Sequence, residues 1–254
     1  MNKYVSLEQK FKAREKVLGT TMAMINSPLI IESMNRDDLD FILFDAEHGI
    51  FNNENLVQVL QVCRLMGLPS FVRTPDKRYS HMARAIDLGA DGIMLPRTET
   101  LEQIQNAINA LKFYPLGNKG CGGHGQFRKG ESFEEFQKNR YLLVQIESQE
   151  GIDRLPEMLE TYGDDISAII IGPYDMSVML GTPRDVRSDV MQKAIQTVFD
   201  ICNRYNKSCG IFCDDEVLAQ KYRNMGANVL WACTDNVFLM RGYNAVFDKL
   251  AEME

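Results

Sequence analysis

Residues 88–95 read Leu-Gly-Ala-Asp-Gly-Ile-Met-Leu and place a helix end and a buried strand within eight residues. A helical pattern ends at Leu88, and Gly89 is the residue type that most readily takes the left-handed conformation that closes a helix. The apolar run that follows has the length of a strand buried on both faces. The same arrangement returns at residues 225–227, Met-Gly-Ala, which indicates a repeating unit of helix, glycine and strand.

This alternation of strand and helix continues along the whole chain. Apolar runs predict eight strands, at residues 18–23, 41–45, 70–73, 92–95, 142–147, 168–171, 208–212 and 228–231. Helical patterns lie between and after them, at residues 28–34, 53–66, 79–88, 101–111, 151–159, 189–205, 214–225 and 237–253. Such alternation predicts a parallel sheet with right-handed crossovers.

Eight strands in 254 residues favour an α/β fold of the (β/α)8 TIM barrel type, whose usual length is about 250 residues. We expect a single domain that spans residues 1–254. An open, doubly wound sheet is the competing fold. No G-x-G-x-x-G follows the first predicted strand, which weakens a dinucleotide-binding interpretation.

Composition argues against several classes of function. A net charge of −7 disfavours nucleic acid as a partner, because nucleic-acid binding needs basic patches. No apolar stretch approaches the roughly 18 residues of a membrane span, and the first 16 residues show no apolar signal segment. The six cysteines form no C-x-x-C pair, so free thiols are expected. Together these features predict a cytoplasmic protein.

Charged residues stand directly after the predicted strands, where α/β proteins carry their chemistry. Glu147 and Asp175 follow two strands that would be neighbours in the barrel. Two carboxylates with water at the remaining positions suit Mg²⁺ or Mn²⁺. A general acid–base pair and two solvated carboxylates are the alternatives. Gln145 would share the face of Glu147, because side chains alternate along a strand.

A histidine and an arginine join this set. His48 is one of only three histidines and could transfer a proton, with Asp45 orienting it. Arg73 ends the next strand and could bind a carboxylate or stabilise an oxyanion. A packing or capping histidine and a structural ion pair are the corresponding structural explanations.

The segment 114–130 is rich in glycine and lies between the fourth and fifth predicted strands. Its glycines could let backbone N–H groups approach an anion, or let the segment close as a lid. A flexible surface loop is an equal alternative, and the role of His124 stays open.

Five motifs in order resemble the HpcH/HpaI family of metal-dependent class II pyruvate aldolases. The family patterns are D-x-E-H, V-R, D-x-G-A-x-G followed by three apolar residues and P, Q-I-E-[ST]-x-E, and G-P-x-D-[LM]-S. They are matched here by residues 45–48, 72–73, 87–96, 145–150 and 172–177. The likeness covers nearly the whole chain.

The resemblance implies roles for these residues. Glu147 and Asp175 would hold a divalent ion, Mg²⁺, Mn²⁺ or Co²⁺, that chelates pyruvate through its keto oxygen and carboxylate. Arg73 would stabilise the enolate oxygen. His48, supported by Asp45, would act in proton transfer through a bound water.

The same resemblance implies a substrate-binding segment. Gly172, Pro173 and Tyr174 would lie along the pyruvate carboxylate, which backbone N–H groups around Gly172 to Asp175 would bind, and Gln145 would support this segment. The implied reaction is the reversible cleavage of a 4-hydroxy-2-oxo acid to pyruvate and an aldehyde, which makes the chain a carbon–carbon lyase.

Some positions depart from the family pattern. Tyr174 stands where many relatives have a small residue, and Thr20 and Thr21 stand near a tryptophan of relatives. Lys119 in the glycine-rich segment is a candidate replacement for an arginine as a substrate cation. We expect these positions to lie around the pocket and to affect the choice of aldehyde.

The resemblance also implies a homo-oligomer, a hexamer built as a trimer of dimers, in which C-terminal helices are swapped. Packing of that helix on its own barrel is the alternative. The apolar residues that suit a helix buried on a partner are Val237, Leu239, Met240, Val246, Phe247 and Leu250.

Three competing functions share this barrel. They are an acyl-CoA lyase of the citrate-lyase β type, a decarboxylase acting on oxaloacetate or a related acid, and a non-enzymatic binding protein. The last would be expected to have lost a metal ligand or Arg73, and the chain retains them.

Overall fold

The computed structural model describes residues 3–253, and its eight parallel strands close into a barrel in chain order. The last strand pairs with the first, with Val17 opposite Val229. Every predicted strand overlaps one of the observed strands, so the (β/α)8 prediction is confirmed. The strands are β1 Val17–Met22, β2 Phe41–Asp45, β3 Ser70–Arg73, β4 Gly92–Leu95, β5 Tyr141–Ile146, β6 Ala168–Ile171, β7 Cys209–Cys213 and β8 Val229–Thr234.

Helices precede, connect and follow the strands. They are α1 Lys3–Ala13, α2 Pro28–Met34, α3 Asn53–Leu65, α4 Tyr79–Leu88, α5 Leu101–Leu111, α6 Phe133–Lys138, α7 Gln149–Tyr162, α8 Pro173–Met179, α9 Asp189–Arg204, α10 Glu216–Met225 and α11 Asp235–Ala251. Of these, α1, α6 and α8 were not predicted. Between residues 3 and 253, no helix is both long enough and apolar enough to cross a membrane.

The glycines expected to close helices do so. Gly89 ends α4 with a φ of 117° and Gly226 ends α10 with a φ of 116°. Both values lie in the left-handed region, where a side chain would be strained. Each helix therefore stops at its glycine and lets the chain turn into the next strand.

The core has two parts. Residues of the strands that point outward pack against the helices, and residues that point inward fill the barrel. At the amino-terminal end of the barrel, α1 contributes Leu7 and Phe11 to the inner part. The Phe11 ring lies 6.0 Å from the ring of Tyr141, whose hydroxyl donates to the carbonyl of Tyr4. The helix therefore covers this end and leaves the opposite end open.

The glycine-rich segment packs along α4, where the Tyr79 hydroxyl donates to the carbonyl of Asn118, contrary to our expectation that Lys119 lies around the pocket. The Lys119 ammonium is buried and lies 2.5 Å from an oxygen of Asp87, near the end of α4. Further along, Arg128 pairs with Asp91, directly before β4. Because helices and strands run in opposite directions, these partners lie at the amino-terminal end of the barrel. Lys119 therefore forms a structural ion pair within the chain and lies away from the carboxyl end of its own barrel.

The C-terminal helix α11 stands apart from the core. Among its described residues only Asp235 is buried. Tyr243 and Phe247 stack on each other with ring centroids 4.2 Å apart, yet both stay about half exposed. The apolar face of α11 is thus uncovered within the chain.

Candidate active site

A cavity of about 340 Å³ lies at the carboxyl end of the strands. This is the end at which barrel enzymes carry their chemistry. The structure brings together the side or main chains of the predicted catalytic, metal-binding and substrate-binding residues. Those that line the cavity are Asp45, His48, Arg73, Gln145, Glu147, Gly172, Pro173, Tyr174 and Asp175.

Arg73 is held by two carboxylates from the segment that follows β2. Its Nε and Nη2 donate to the two oxygens of Asp45 at 2.9 and 2.5 Å. Its Nη1 lies 3.2 Å from Glu47 Oε2. Burial opposes the charge on Asp45, but the hydrogen bonds from Arg73 outweigh it and lower the pKa of Asp45. A bidentate pair of this kind fixes the guanidinium in one orientation.

Asp45 also shapes the backbone that leads to His48. Its Oδ1 accepts from the backbone N–H groups of Glu47 and His48 at 3.0 and 3.1 Å. The His48 imidazole is exposed, and its Nε2 lies 3.7 Å from Glu47 Oε2. Asp45 therefore places His48 through the main chain, and Glu47 is the carboxylate nearest to the ring. Sequence reasoning had not given Glu47 a role.

Glu147 is buried, and one of its oxygens lacks a hydrogen-bond partner. Oε2 accepts from the backbone N–H of Arg97 at 3.0 Å, whereas Oε1 has no partner in the described chain. Burial and the negative charge of Asp175 raise the pKa of Glu147 to about 7. Arg97 has a φ of 36°, a backbone conformation that is strained for residues other than glycine. The N–H of this strained residue is the one that donates to Glu147.

Gly172 provides the space in which Glu147 lies. A Cβ at this position would stand 1.9 Å from Glu147 Oε1 and 2.6 Å from Gln145 Nε2. The amide oxygen of Gln145 is buried without a partner as well. The residues that line the cavity thus include two buried oxygens without a hydrogen-bond partner, Glu147 Oε1 and Gln145 Oε1.

Asp175 lies across from Glu147 in the first turn of α8, which begins at Pro173. Proline suits the first turn of a helix, because its missing N–H would be unsatisfied there in any case. The Asp175 carboxylate is partly exposed and lies 3.6 Å from the guanidinium of Arg97. Its charge is near enough to Glu147 to affect the pKa described above.

The chemistry of these groups fits a hard divalent cation. Carboxylate oxygens are the preferred ligands of Mg²⁺ and Mn²⁺, and a buried, unpartnered carboxylate oxygen is costly unless an ion or donor occupies its side. No group of three or more His, Cys, Asp or Glu side chains in residues 3–253 is placed to enclose an ion by itself. A pair of carboxylates would leave the remaining ligand positions to water and substrate.

The remaining lining residues come mainly from β1, from β7 and β8, and from the segments that follow these last two strands. Sequence reasoning had placed Thr21 near the pocket and missed the others as lining residues, because no charged motif accompanies most of them. The exception is Asp214, which directly follows β7 as Asp175 follows β6. These residues are Thr21, Phe212, Asp214, Trp231, Thr234 and Val237.

Comparison with known proteins agrees with this geometry. The model of the HpcH/HpaI aldolase/citrate lyase family matches residues 22–240. The chain belongs to this family. A 5-keto-4-deoxy-D-glucarate aldolase of Klebsiella pneumoniae is 28% identical over 234 residues, which cover 89% of this chain and 90% of that protein. The Escherichia coli enzymes of the same name show the same identity and coverage.

Solved structures share the fold of this HpcH/HpaI chain. An HpcH/HpaI aldolase from Desulfitobacterium hafniense superposes with a TM-score of 0.89 at 23% identity, over 98% of this chain and 97% of that one. A family protein from Burkholderia cenocepacia has the same TM-score and identity, over 99% and 100% of the two chains. A citrate synthase follows with a TM-score of 0.85 at 21% identity, over 97% of each chain.

Membership in the HpcH/HpaI family defines the enzyme class. The chain is an aldolase-type carbon–carbon lyase that acts on small molecules. Members of the family generally depend on a divalent metal ion.

Proposed function

We propose that this enzyme uses a divalent metal ion to cleave a 4-hydroxy-2-oxo acid reversibly into pyruvate and an aldehyde. The observation that carries the proposal is the buried Oε1 of Glu147. It has no hydrogen-bond partner and lies in the same cavity as Asp175 and Arg73. A hydrogen-bonded carboxylate would need no ion, whereas this one presents an unsatisfied oxygen to the cavity.

Glu147 and Asp175 would hold the ion, which is Mg²⁺, Mn²⁺ or Co²⁺ in the proposal. When bound, it would act as a Lewis acid that polarises the keto group of the oxo acid. Gly172 leaves room for Glu147 Oε1 itself, because a Cβ at position 172 would stand 1.9 Å from that oxygen.

Arg73 stabilises the negative charge that develops on the enolate oxygen when the carbon–carbon bond breaks. Its guanidinium is already oriented by Asp45, so little reorganisation is needed during the reaction. Fixed donors aimed at developing charge are among the largest contributions to catalysis.

His48 moves the proton of the 4-hydroxyl group, through a bound water, and Glu47 beside it stabilises the protonated ring. The 2-oxo acid carboxylate binds along Gly172, Pro173 and Tyr174, where the backbone N–H groups at the start of α8 favour an anion. Gln145 donates from below this segment.

We further propose that α11 is exchanged between subunits of a homo-oligomer, a hexamer built as a trimer of dimers. The support is the uncovered apolar face of a helix in which only Asp235 is buried. A contiguous apolar face that stays exposed on a helix indicates contact with a protein partner. We assign the enzyme to the cytoplasm, in keeping with its free cysteines.

The test is pyruvate release from a panel of 4-hydroxy-2-oxo acids and from oxaloacetate, with EDTA and with added Mn²⁺. Wild type, Glu147→Gln and Glu150→Gln are compared, the last removing an exposed carboxylate on α7. Release should need the metal and should fall about 10²–10³-fold in Glu147→Gln, as expected for loss of an electrostatic catalytic group. Glu150→Gln should match wild type.

Other outcomes would change the assignment. Release from oxaloacetate alone would make the enzyme a decarboxylase. Equal release with EDTA and with Mn²⁺ would remove the metal from the proposal.

A further inference from the structure

Arg97 contacts both of the carboxylates that would hold the metal ion. Its backbone N–H donates to Glu147 Oε2 at 3.0 Å, and its guanidinium lies 3.6 Å from a carboxylate oxygen of Asp175. Glu147 follows β5 and Asp175 lies after β6, whereas Arg97 follows β4. One residue therefore joins two candidate ligands from different strands, and it uses its main chain for one and its side chain for the other.

The backbone of Arg97 is fixed on both sides of its Cα. Its N–H is bound to Glu147, and its carbonyl accepts from the ammonium group of Lys77 at 2.7 Å. The next residue, Thr98, donates its N–H to the carbonyl of Gln145 at 2.9 Å. A strained backbone such as that of Arg97 persists only where its surroundings over-determine it. The side chain of Arg97 therefore starts from a fixed point.

The charge of Arg97 opposes a cation at this site. The guanidinium of Arg73 is bound by Asp45 and Glu47, whereas that of Arg97 faces Asp175. The Arg97 and Asp175 side chains are 48% and 39% exposed, so the dielectric between them is close to that of water. A divalent ion on Asp175 would lie within about 6 Å of the guanidinium. At that distance, Coulomb repulsion in water corresponds to about tenfold in affinity.

The same charge favours an anion. When both carboxylates are ionised, Glu147, Asp175 and a divalent ion are neutral as a group, and Arg97 leaves this group with one positive charge. A 2-oxo acid is a monoanion at neutral pH, because its carboxyl group titrates far below pH 7. In the proposed function it binds beside this group, along the first turn of α8. Arg97 therefore attracts the acid while it repels the metal ion.

We propose that Arg97 is a positioning residue whose charge weakens binding of the metal ion and strengthens binding of the anionic 2-oxo acid. The inference rests on the proposed function, because it needs a metal ion on Glu147 and Asp175. One charge thus has two effects of opposite sign. A purely structural role of Arg97 predicts a different result, since misplaced carboxylates would weaken the binding of both ligands.

The test compares variants that differ in the charge at position 97. Arg97→Met removes the charge and keeps the backbone N–H that binds Glu147, and Arg97→Lys keeps the charge. Arg154→Met is the matched control, because Arg154 forms exposed ion pairs on α7. Electron paramagnetic resonance of the free ion gives the Mn²⁺ affinity, and water proton relaxation gives the pyruvate affinity of the Mn²⁺-loaded enzyme. Any group that a second subunit brings to the cavity is the same in all four proteins, so the comparison isolates Arg97.

The expected changes have opposite directions. Arg97→Met should bind Mn²⁺ at least about fivefold more tightly than wild type and pyruvate about threefold more weakly, as charges about 6 to 7 Å apart in water require. Arg97→Lys and Arg154→Met should stay close to the wild type in both affinities. The two differences should shrink in about 0.5 M KCl, where the Debye length falls to about 4 Å.

The outcomes separate this inference from the proposed function. If wild type fails to bind Mn²⁺ with and without pyruvate, the proposed function fails and the inference fails with it. If wild type binds Mn²⁺ but Arg97→Met keeps both affinities, or loses affinity for both ligands, the inference is wrong and the proposed function stands. Arg97→Gln is a second uncharged variant, which decides the question if Arg97→Met does not fold.

Discussion

Gly172 is constrained by its neighbours and not by its own backbone. Its own backbone is extended, with a φ of −91°, which any residue can adopt. The reason for a glycine is the carboxylate of Glu147, which stands where a Cβ would be. A glycine at a strand end thus marks the close approach of a buried side chain, and the backbone conformation alone would not reveal it.

Gly172→Ala should therefore reduce activity without unfolding the protein. The added methyl would displace Glu147 and Gln145, so we expect kcat/KM and Mn²⁺ affinity to fall by about 10²-fold, as for other small misplacements of reacting groups. Gly120→Ala is the control, because a Cβ there meets nothing within 4 Å. Steady-state kinetics, Mn²⁺ titration and urea unfolding would be measured on both variants. Full activity in Gly172→Ala would contradict this prediction, because it would show that Glu147 and Gln145 can shift without loss of function.

At the level of residues, sequence reasoning placed the charged groups of the cavity and Tyr174, and missed the rings of Phe212 and Trp231. Asp45, Arg73 and Glu147 were found because a charge after an apolar strand is unusual and easily seen. Phe212 and Trp231 resemble ordinary core residues in the sequence, and only the inward direction of β7 and β8 makes them line the cavity. Glu47 was missed for a different reason. It belongs to the same motif as Asp45 and His48, and sequence reasoning assigned roles to those two residues only.

At the level of elements, the longest connection of the barrel is organised by buried ion pairs. Between α5 and β5, Arg140 donates to both oxygens of Glu131 at 2.9 and 2.7 Å. Arg128 binds Asp91 and lies over the ring of Tyr4, with its guanidinium carbon 3.8 Å from the ring centroid. These contacts join α1, the glycine-rich segment and the start of β4 at the amino-terminal end.

Glu131→Gln should make the protein less stable at neutral pH and less sensitive to acid. Burial opposes the charge of Glu131, but Arg140 and Arg128 outweigh it and lower the pKa of Glu131 from its usual 4.5. A lowered folded-state pKa contributes stability above pH 4.5, and this stability is lost as the pH falls through the folded-state value. We expect wild type to be about 3 kcal/mol more stable at pH 7, with a gap that narrows below pH 4.5.

The free energy of unfolding in urea is measured at about ten pH values between pH 3 and pH 8, a range that covers the titration of carboxyl groups. Glu134→Gln is the comparison, since that carboxylate pairs with Lys138 on the exposed side of α6. Exposed pairs contribute little, so its curve should follow the wild type. If the curves of wild type and Glu131→Gln are parallel at all pH values, the ion pair of Glu131 is not the source of the pH-dependent stability.

The helices that sequence analysis missed lack a clear apolar period. The helices α6 and α8 have only six and seven residues, in which such a period is hard to see, although α2, which also has seven, was predicted. The first helix, α1, is longer, but charged residues surround its two buried side chains, Leu7 and Phe11. The barrel strands were easier, because a run buried on both faces needs no period to be seen.

At the scale of the whole molecule, the two ends of the barrel have different tasks. The amino-terminal end is covered by α1 and tied by ion pairs, whereas the carboxyl end holds the candidate active site, in which Glu147 and Gln145 each have a buried oxygen without a partner. Substitutions at the first end should therefore change stability, and those at the second should change activity. The glycine-rich segment, for which a lid and a surface loop were equal alternatives in the sequence, forms its buried ion pairs at the first end.

Phe247→Glu tests whether α11 binds a second copy of the chain. A carboxylate in an apolar contact between subunits should weaken association at least about tenfold, because it removes roughly 2 kcal/mol of burial and adds an unpaired charge. Lys249→Glu adds the same group to the same helix outside the apolar set and should leave the assembly intact. Light scattering after size-exclusion chromatography measures the mass. An identical mass for wild type and Phe247→Glu would mean that α11 does not hold the subunits together.

The start of α11 is fastened by one side chain. The carboxylate of Asp235 accepts from three successive backbone N–H groups, those of Ala23, Met24 and Ile25, at 2.6 to 3.2 Å. Nearly all later residues of the helix contribute nothing to the core of their own barrel. The residues of α11 beyond Asp235 can therefore diverge in sequence, and the partner that the helix recognises can change with them. The barrel and its cavity keep their architecture as long as Asp235 is retained.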